Sequence, residues 1–129
     1  MPKKSILIVD DDAISRAIIQ GFLKNESDYI TKTVVSAQDC LNFIKNNHVD
    51  LIISDVEMEE IDGIEMSKIL SSNQKTSEIP VILISVRNQL DIINKSRLYN
   101  NVKKVEQKPY CKSLLLSDVK EVCNLKKLH

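Results

Sequence analysis

Three short runs of consecutive apolar, mostly β-branched residues punctuate the chain: Ile6-Leu7-Ile8-Val9, Leu51-Ile52-Ile53 and Val81-Ile82-Leu83-Ile84. A strand with one solvated face alternates apolar and polar side chains, whereas a strand covered on both faces stays apolar throughout. The three runs therefore predict central strands of a parallel sheet. Between and after them, apolar positions recur every three or four residues, as on a helix that buries one stripe. The stripes are Ile14/Ile18/Phe22 with Ile19/Leu23, then Ala37/Cys40/Leu41/Ile44, then Met66/Ile69/Leu70. Leu90/Ile93 begins a fourth and Leu115/Val119/Val122 marks a fifth. Two further strands read more weakly: 29–35 is interrupted by Thr and Lys, and 102–107 carries Lys103, Lys104 and Glu106. Charged strands suit sheet edges, where they discourage pairing with another chain. Five repeats of strand then helix predict an α/β fold, a doubly wound parallel sheet with right-handed crossovers and helices on both faces.

At 129 residues the chain can build one domain with a real core but not two ordinary ones, so 1–129 reads as a single domain. The sequence has no internal repeat or low-complexity stretch, and 71–78 (SSNQKTSE) is its most loop-like segment. Hydrophobic residues at 43% and charged residues at 28% argue against disorder. Eighteen basic residues balance eighteen acidic ones, which removes any whole-chain attraction to nucleic acid or a membrane surface. No apolar run approaches the ~20 residues of a membrane span, and the start MPKKSILIVDDD leads into a strand rather than a signal peptide. Cys40, Cys111 and Cys123 are odd in number and lack CxxC spacing. They are expected to fill core in a reduced, cytoplasmic compartment.

Chemistry gathers where the strands end. Asp10, Asp11 and Asp12 close the first strand, Asp55 the third, Ser85 the fourth and Lys108 the fifth. Open parallel sheets bind ligands outside the carboxyl ends of their strands, where strand order reverses. With the order 2-1-3-4-5, that point lies between the first and third strands, and Asp10, Asp11 and Asp55 share one pocket. Carboxylates this close raise one another's pKa, a conflict that a hard cation relieves. Mg²⁺ suits the place, because it takes oxygen ligands and keeps several waters. Lys108 brings a compact positive charge from the opposite rim, and the Ser85 hydroxyl can donate to a phosphoryl oxygen. Other polar residues have plainer roles. Asp12 is expected to cap the first helix, Asp62-Gly63 to turn into the third, and Lys103 and Lys104 to form a solvated edge. His48 reads as a loop residue with no second ligand for zinc.

Four pieces resemble the receiver domain of two-component response regulators, over residues 4–125: ILIVDDD at 6–12, DLIISDVEMEEIDG at 50–63, IPVILIS at 79–85 and Lys108-Pro109. Each is weak alone; all four in order, each at a strand terminus, are specific. The resemblance implies a flavodoxin-like (βα)5 fold with strand order 2-1-3-4-5. It implies that Asp55 accepts a phosphoryl group from a histidine kinase or histidine phosphotransfer protein, while Ser85 and Lys108 bind that group. Asp11 and Asp55 would ligate Mg²⁺ directly, with Asp10 nearby and the Glu57 backbone carbonyl completing the protein ligands. A downstream protein partner would read the face of the fourth helix, fifth strand and fifth helix, with no direct contact to nucleic acid or membrane.

The chain departs from the family pattern at several positions. Glu59 replaces the common Pro four residues after the phosphoacceptor, and Val86 replaces a small residue after Ser85. Val105 stands where an aromatic ring often switches, and 98–101 (LYNN) lacks the usual glycines. Glu57 and Arg87, each two residues beyond a strand-end site residue, are placed to form a salt bridge across the pocket mouth. Val86 and Val105 keep open a second reading, a receiver that signals by protein contacts without phosphate. An aspartyl-nucleophile, Mg²⁺-dependent phosphatase fits less well, since its DxDx[TV] motif would replace Asp10-Asp11-Asp12. A flavin module fits less well again, because three carboxylates after the first strand would repel a phosphate.

Overall fold

The computed structural model describes residues 3–87, 89–97 and 99–127. Strands and helices alternate in the order β1 (Lys4–Val9), α1 (Ala13–Leu23), β2 (Tyr29–Val34), α2 (Ala37–Ile44), β3 (Leu51–Asp55), α3 (Gly63–Ser71), β4 (Val81–Ser85), α4 (Gln89–Ser96), β5 (Val102–Gln107) and α5 (Lys112–Lys127). All strand pairs are parallel, and the sheet order is β2-β1-β3-β4-β5. The expected doubly wound, flavodoxin-like arrangement is the one observed.

The apolar runs are continuous because each central strand feeds two cores. Ile6, Ile8, Leu51, Ile53, Ile82 and Ile84 pack with Ile19 and Leu23 of α1 and Leu115, Val119 and Val122 of α5. Leu7, Val9, Ile52, Val81 and Leu83 point the other way, onto Ala37, Cys40, Met66, Leu70 and Ile92 of α2, α3 and α4. Successive side chains of a strand face opposite sides, so one run serves both layers. The two charged strands lie at the edges, as their composition requires. Between β4 and β5 the register slips after the Val81–Val102 pair, so that Ile82 lies beside Lys104, and Lys104 pairs with Glu121 of α5 rather than standing free in solvent.

Two helix faces differ from the expected ones. Ile14 and Ile18 of α1 are 71% and 50% exposed, while Ile19 and Leu23 are buried. The two i,i+4 rows are separated around the helix, and only one can meet the sheet. On α4 it is Ile92 that is buried, with Leu90 and Ile93 exposed. Ser96, one turn on, donates to the Ile92 carbonyl and is buried beside it. Cys40 and Cys123 are core residues as expected, but Cys111 is exposed at the start of α5, where its carbonyl accepts from Leu115 N–H at 3.0 Å.

Candidate functional site

The strand register sets the site. Val9 lies beside Ser54, Asp55 beside Ile84 and Ser85 beside Gln107, so the residues that follow or end these strands emerge at one edge. Asp10 leaves β1 with its N–H donating to the Val34 carbonyl at 3.2 Å. Its Oδ1 accepts from Asp12 N–H at 2.9 Å, and its carbonyl accepts from Arg16 at 2.8 Å. Asp12 caps α1 as expected, accepting from Ile14 N–H and the Ser15 hydroxyl. Lys108 is fixed on the opposite side by its N–H, which donates to the Ser85 carbonyl at 2.8 Å.

Asp55 closes β3 and is 6% exposed, while Asp10 is buried and Asp11 exposed. A carboxylate oxygen from each of the three lies within 4.8 Å of the others. Lys108 Nζ reaches over this cluster, 3.3 Å from Asp55 Oδ1 and 3.5 Å from Asp10 Oδ2. Asp55 Oδ1 is nevertheless buried without a hydrogen bond. Burial, then the Asp10 carboxylate, push the Asp55 carboxyl up to about 6, against the pull of Lys108. Burial also disfavours the Lys108 charge, but the Asp55 and Asp10 carboxylates outweigh it and hold the ammonium above the ordinary lysine range. A buried carboxylate oxygen without a hydrogen bond, beside two more carboxylates, fits a hard, oxygen-seeking cation.

The loop after β3 is pinned by Val56 N–H to Ile84 O and by Gly63 N–H to Val56 O, both 2.9 Å. Asp62 caps α3 through Glu65 N–H at 2.8 Å. Gly63 does more than turn the chain: a Cβ there would lie 2.4 Å from the Asp55 carbonyl oxygen. Its need was hidden in the sequence, although a chain with only 2 glycines gives each one weight. At the mouth, the Glu57–Arg87 salt bridge is present at 2.9 Å. The pattern did not reveal that Glu57 also accepts from the Ser85 hydroxyl and Val86 N–H. Beside the mouth, Ile18, Phe22, Val86, Lys108, Pro109 and Tyr110 line an apolar groove of about 510 Å³. His48 is a loop residue, hydrogen-bonded to Asp50 at 2.8 Å.

A family model described as the response regulator receiver domain matches residues 6–120. The chain belongs to this family. Its receiver sequence is 47% identical over 91 residues to a protein-glutamate methylesterase/protein-glutamine glutaminase of Trichodesmium erythraeum, covering 69% of this chain and 25% of that protein. It is 29% identical over 82 residues to the polar-differentiation response regulator DivK of Brucella ovis, covering 64% of this chain and 66% of that one. The chain thus spans a quarter of the first relative and just under two thirds of the second. A signal receiver domain of a histidine kinase from Syntrophus aciditrophicus superposes with a TM-score of 0.84 at 29% identity, over 94% of this chain and 90% of that one. The chemotaxis response regulator CheY4 of Vibrio cholerae shares the fold, with a TM-score of 0.83 at 21% identity over 93% and 98% of the two chains. Among the described residues, no helix of this receiver is long and apolar enough to cross a membrane.

Proposed function

We propose that this receiver accepts a phosphoryl group on Asp55 from a phosphohistidine donor, a histidine kinase or a histidine phosphotransfer protein. The observation that carries the reading is the buried Asp55 Oδ1, which has no hydrogen bond, is ion-paired with Lys108 at 3.3 Å and lies within reach of Asp10 and Asp11. An Asp55 oxygen attacks phosphorus, the phosphorus–nitrogen bond breaks, and the donor imidazole leaves with its electron pair. The product is an acyl phosphate on Asp55. Lys108 balances charge on the phosphoryl oxygens, and the Ser85 hydroxyl donates to one of them. Asp10, Asp11, Asp55 and the Glu57 backbone carbonyl would hold Mg²⁺, which when bound screens the carboxylates from the incoming anion.

The donor must bring its phosphohistidine over Asp55, and the exposed Ile14, Ile18 and Val86 with Pro109 supply an apolar rim on which a protein can rest. The whole chain acts as one unit, in the cytoplasm, with an output partner reading the α4–β5–α5 face. A receiver working without phosphate is the second reading; it is favoured by the engagement of Ser85 with Glu57. Intact-mass measurement after incubation with acetyl phosphate and Mg²⁺ decides between them. Wild type gains one phosphoryl mass and Asp55→Asn gains none; a wild type left unmodified by acetyl phosphate and by a phosphohistidine donor alike supports the second reading.

A further inference from the structure

The Ser85 hydroxyl has one proton to give, and it is already given. It donates to Glu57 Oε2 at 2.7 Å, while its oxygen accepts from Arg87 N–H at 2.9 Å. The same carboxylate accepts from Val86 N–H at 3.2 Å and from Arg87 Nε at 2.9 Å. Three donors from the end of β4 and the turn after it thus converge on one side-chain anion two residues beyond Asp55. Backbone and hydroxyl donors aimed at one anion are what a phosphoryl oxygen on Asp55 would require of this turn.

We propose that the Glu57 side chain is an internal occupant of the phosphoryl subsite: its carboxylate takes the Ser85 hydroxyl and Val86 amide that a phosphoryl group needs, and Arg87 tethers it there. The inference rests on the phosphoacceptor reading of Asp55. Phosphorylation is then an exchange of anions, in which the carboxylate swings out as the phosphoryl group arrives. Glu57 has room to do so, because its side chain is 33% exposed and Arg87's is 40%. The occupant selects against small anionic donors and phosphate mimics, which must displace it without help from a docking surface. It also holds the turn in an anion-bound form before any phosphate is present.

The test is titration of beryllofluoride with Mg²⁺, read by backbone amide shifts, on wild type, Glu57→Ala, Glu57→Gln and Arg87→Ala. Removing the competing charge-assisted bond should tighten binding about tenfold in Glu57→Ala. Glu57→Gln should fall between, since a neutral carbonyl competes about half as well. Arg87→Ala should also tighten binding, because the carboxylate loses its tether. In metal-free protein, exchange of the Val86 amide should speed up about tenfold in Glu57→Ala, its acceptor being gone. Equal or weaker binding in Glu57→Ala, or an unchanged Val86 amide, overturns the inference. Intact mass with acetyl phosphate separates the two failures. If all four proteins are modified on Asp55 at equal rates, only the internal occupant is lost; if none is modified, the acceptor reading goes with it.

Discussion

Asp55 sits among groups that disagree about its proton. Burial and Asp10 favour the neutral acid, Lys108 the carboxylate, and the balance leaves the carboxyl raised from 3.8 to about 6. A raised carboxyl binds its proton more tightly in the folded than in the unfolded chain. Its contribution to stability is therefore complete below the unfolded value and is lost as pH rises through about 6. In metal-free buffer near neutral pH, Asp55→Asn should be more stable than wild type by roughly 1–3 kcal/mol. That advantage should shrink as pH falls toward the unfolded value, and paired urea titrations in a chelator would show it; a pH-independent difference rules this out. Val86 acts on a different step. It is 62% exposed and lines the groove beside Lys108, where, on the phosphoacceptor reading proposed above, its bulk would shield an acyl phosphate from attacking water. Val86→Ala should shorten the lifetime of phosphorylated Asp55, measured by loss of phosphoryl mass over time, with the rate rising several-fold, on the order of 1 kcal/mol in the barrier.

The elements were legible wherever a residue had two reasons to be apolar. Strands β1, β3 and β4 are buried on both faces, and no polar side chain interrupts their middles. Helix faces were legible only in part, since an apolar row records a capacity for burial and not which neighbour covers it. Ile14 and Ile18 show this on α1, and the eight-residue α4 shows it again, holding the core through Ile92. The junction between β3 and α3 depends on one atom's absence. Adding a Cβ at Gly63 brings it 2.4 Å from the Asp55 carbonyl oxygen and 3.1 Å from the Val56 Cα, both backbone atoms that cannot rotate away. Gly63→Ala should cost about 1–3 kcal/mol in thermal or urea unfolding, the range for overpacking. It should also slow modification of Asp55, because relief of the clash moves the acceptor's own backbone. Stability lost with the modification rate intact would show that the strain is absorbed by α3 instead.

At the scale of the molecule, the site was readable because a parallel sheet collects strand ends. The pair Asp10-Asp11 is distant in sequence from Asp55, Ser85 and Lys108, and the strand register brings them to one edge. What the sequence left hidden was the use of a flexible side chain: Glu57 was foreseen bridging to Arg87, but its hold on Ser85 depends on a rotamer. That hold changes how a phosphate signal can leave the site. If Ser85 exchanges one anion for another, its turn gains little, and the larger change belongs to Lys108, which would turn from the Asp55 and Asp10 carboxylates to a more highly charged phosphoryl group. A charge-assisted bond contributes about 1.5–3 kcal/mol, enough for a shift of roughly ten- to a hundredfold in a two-state equilibrium. Val105 offers no rotating ring, so the movement must travel along the chain from Lys108. Two residues on, Tyr110 is buried, and its hydroxyl donates to the buried Asp118 of α5. This link joins Lys108, which is proposed to bind the phosphoryl group, to the middle of α5. Beryllofluoride should therefore shift amides of the turn 86–87, of 105–110 and of α5 around Asp118. In Tyr110→Phe the α5 shifts should fall by half or more while those near Asp55 persist, and stability should drop by about 1–3 kcal/mol because the Asp118 carboxylate loses its partner. Shifts in α5 of equal size in both proteins would mean that the signal reaches the helix by another path, through β5 and its Lys104–Glu121 pair.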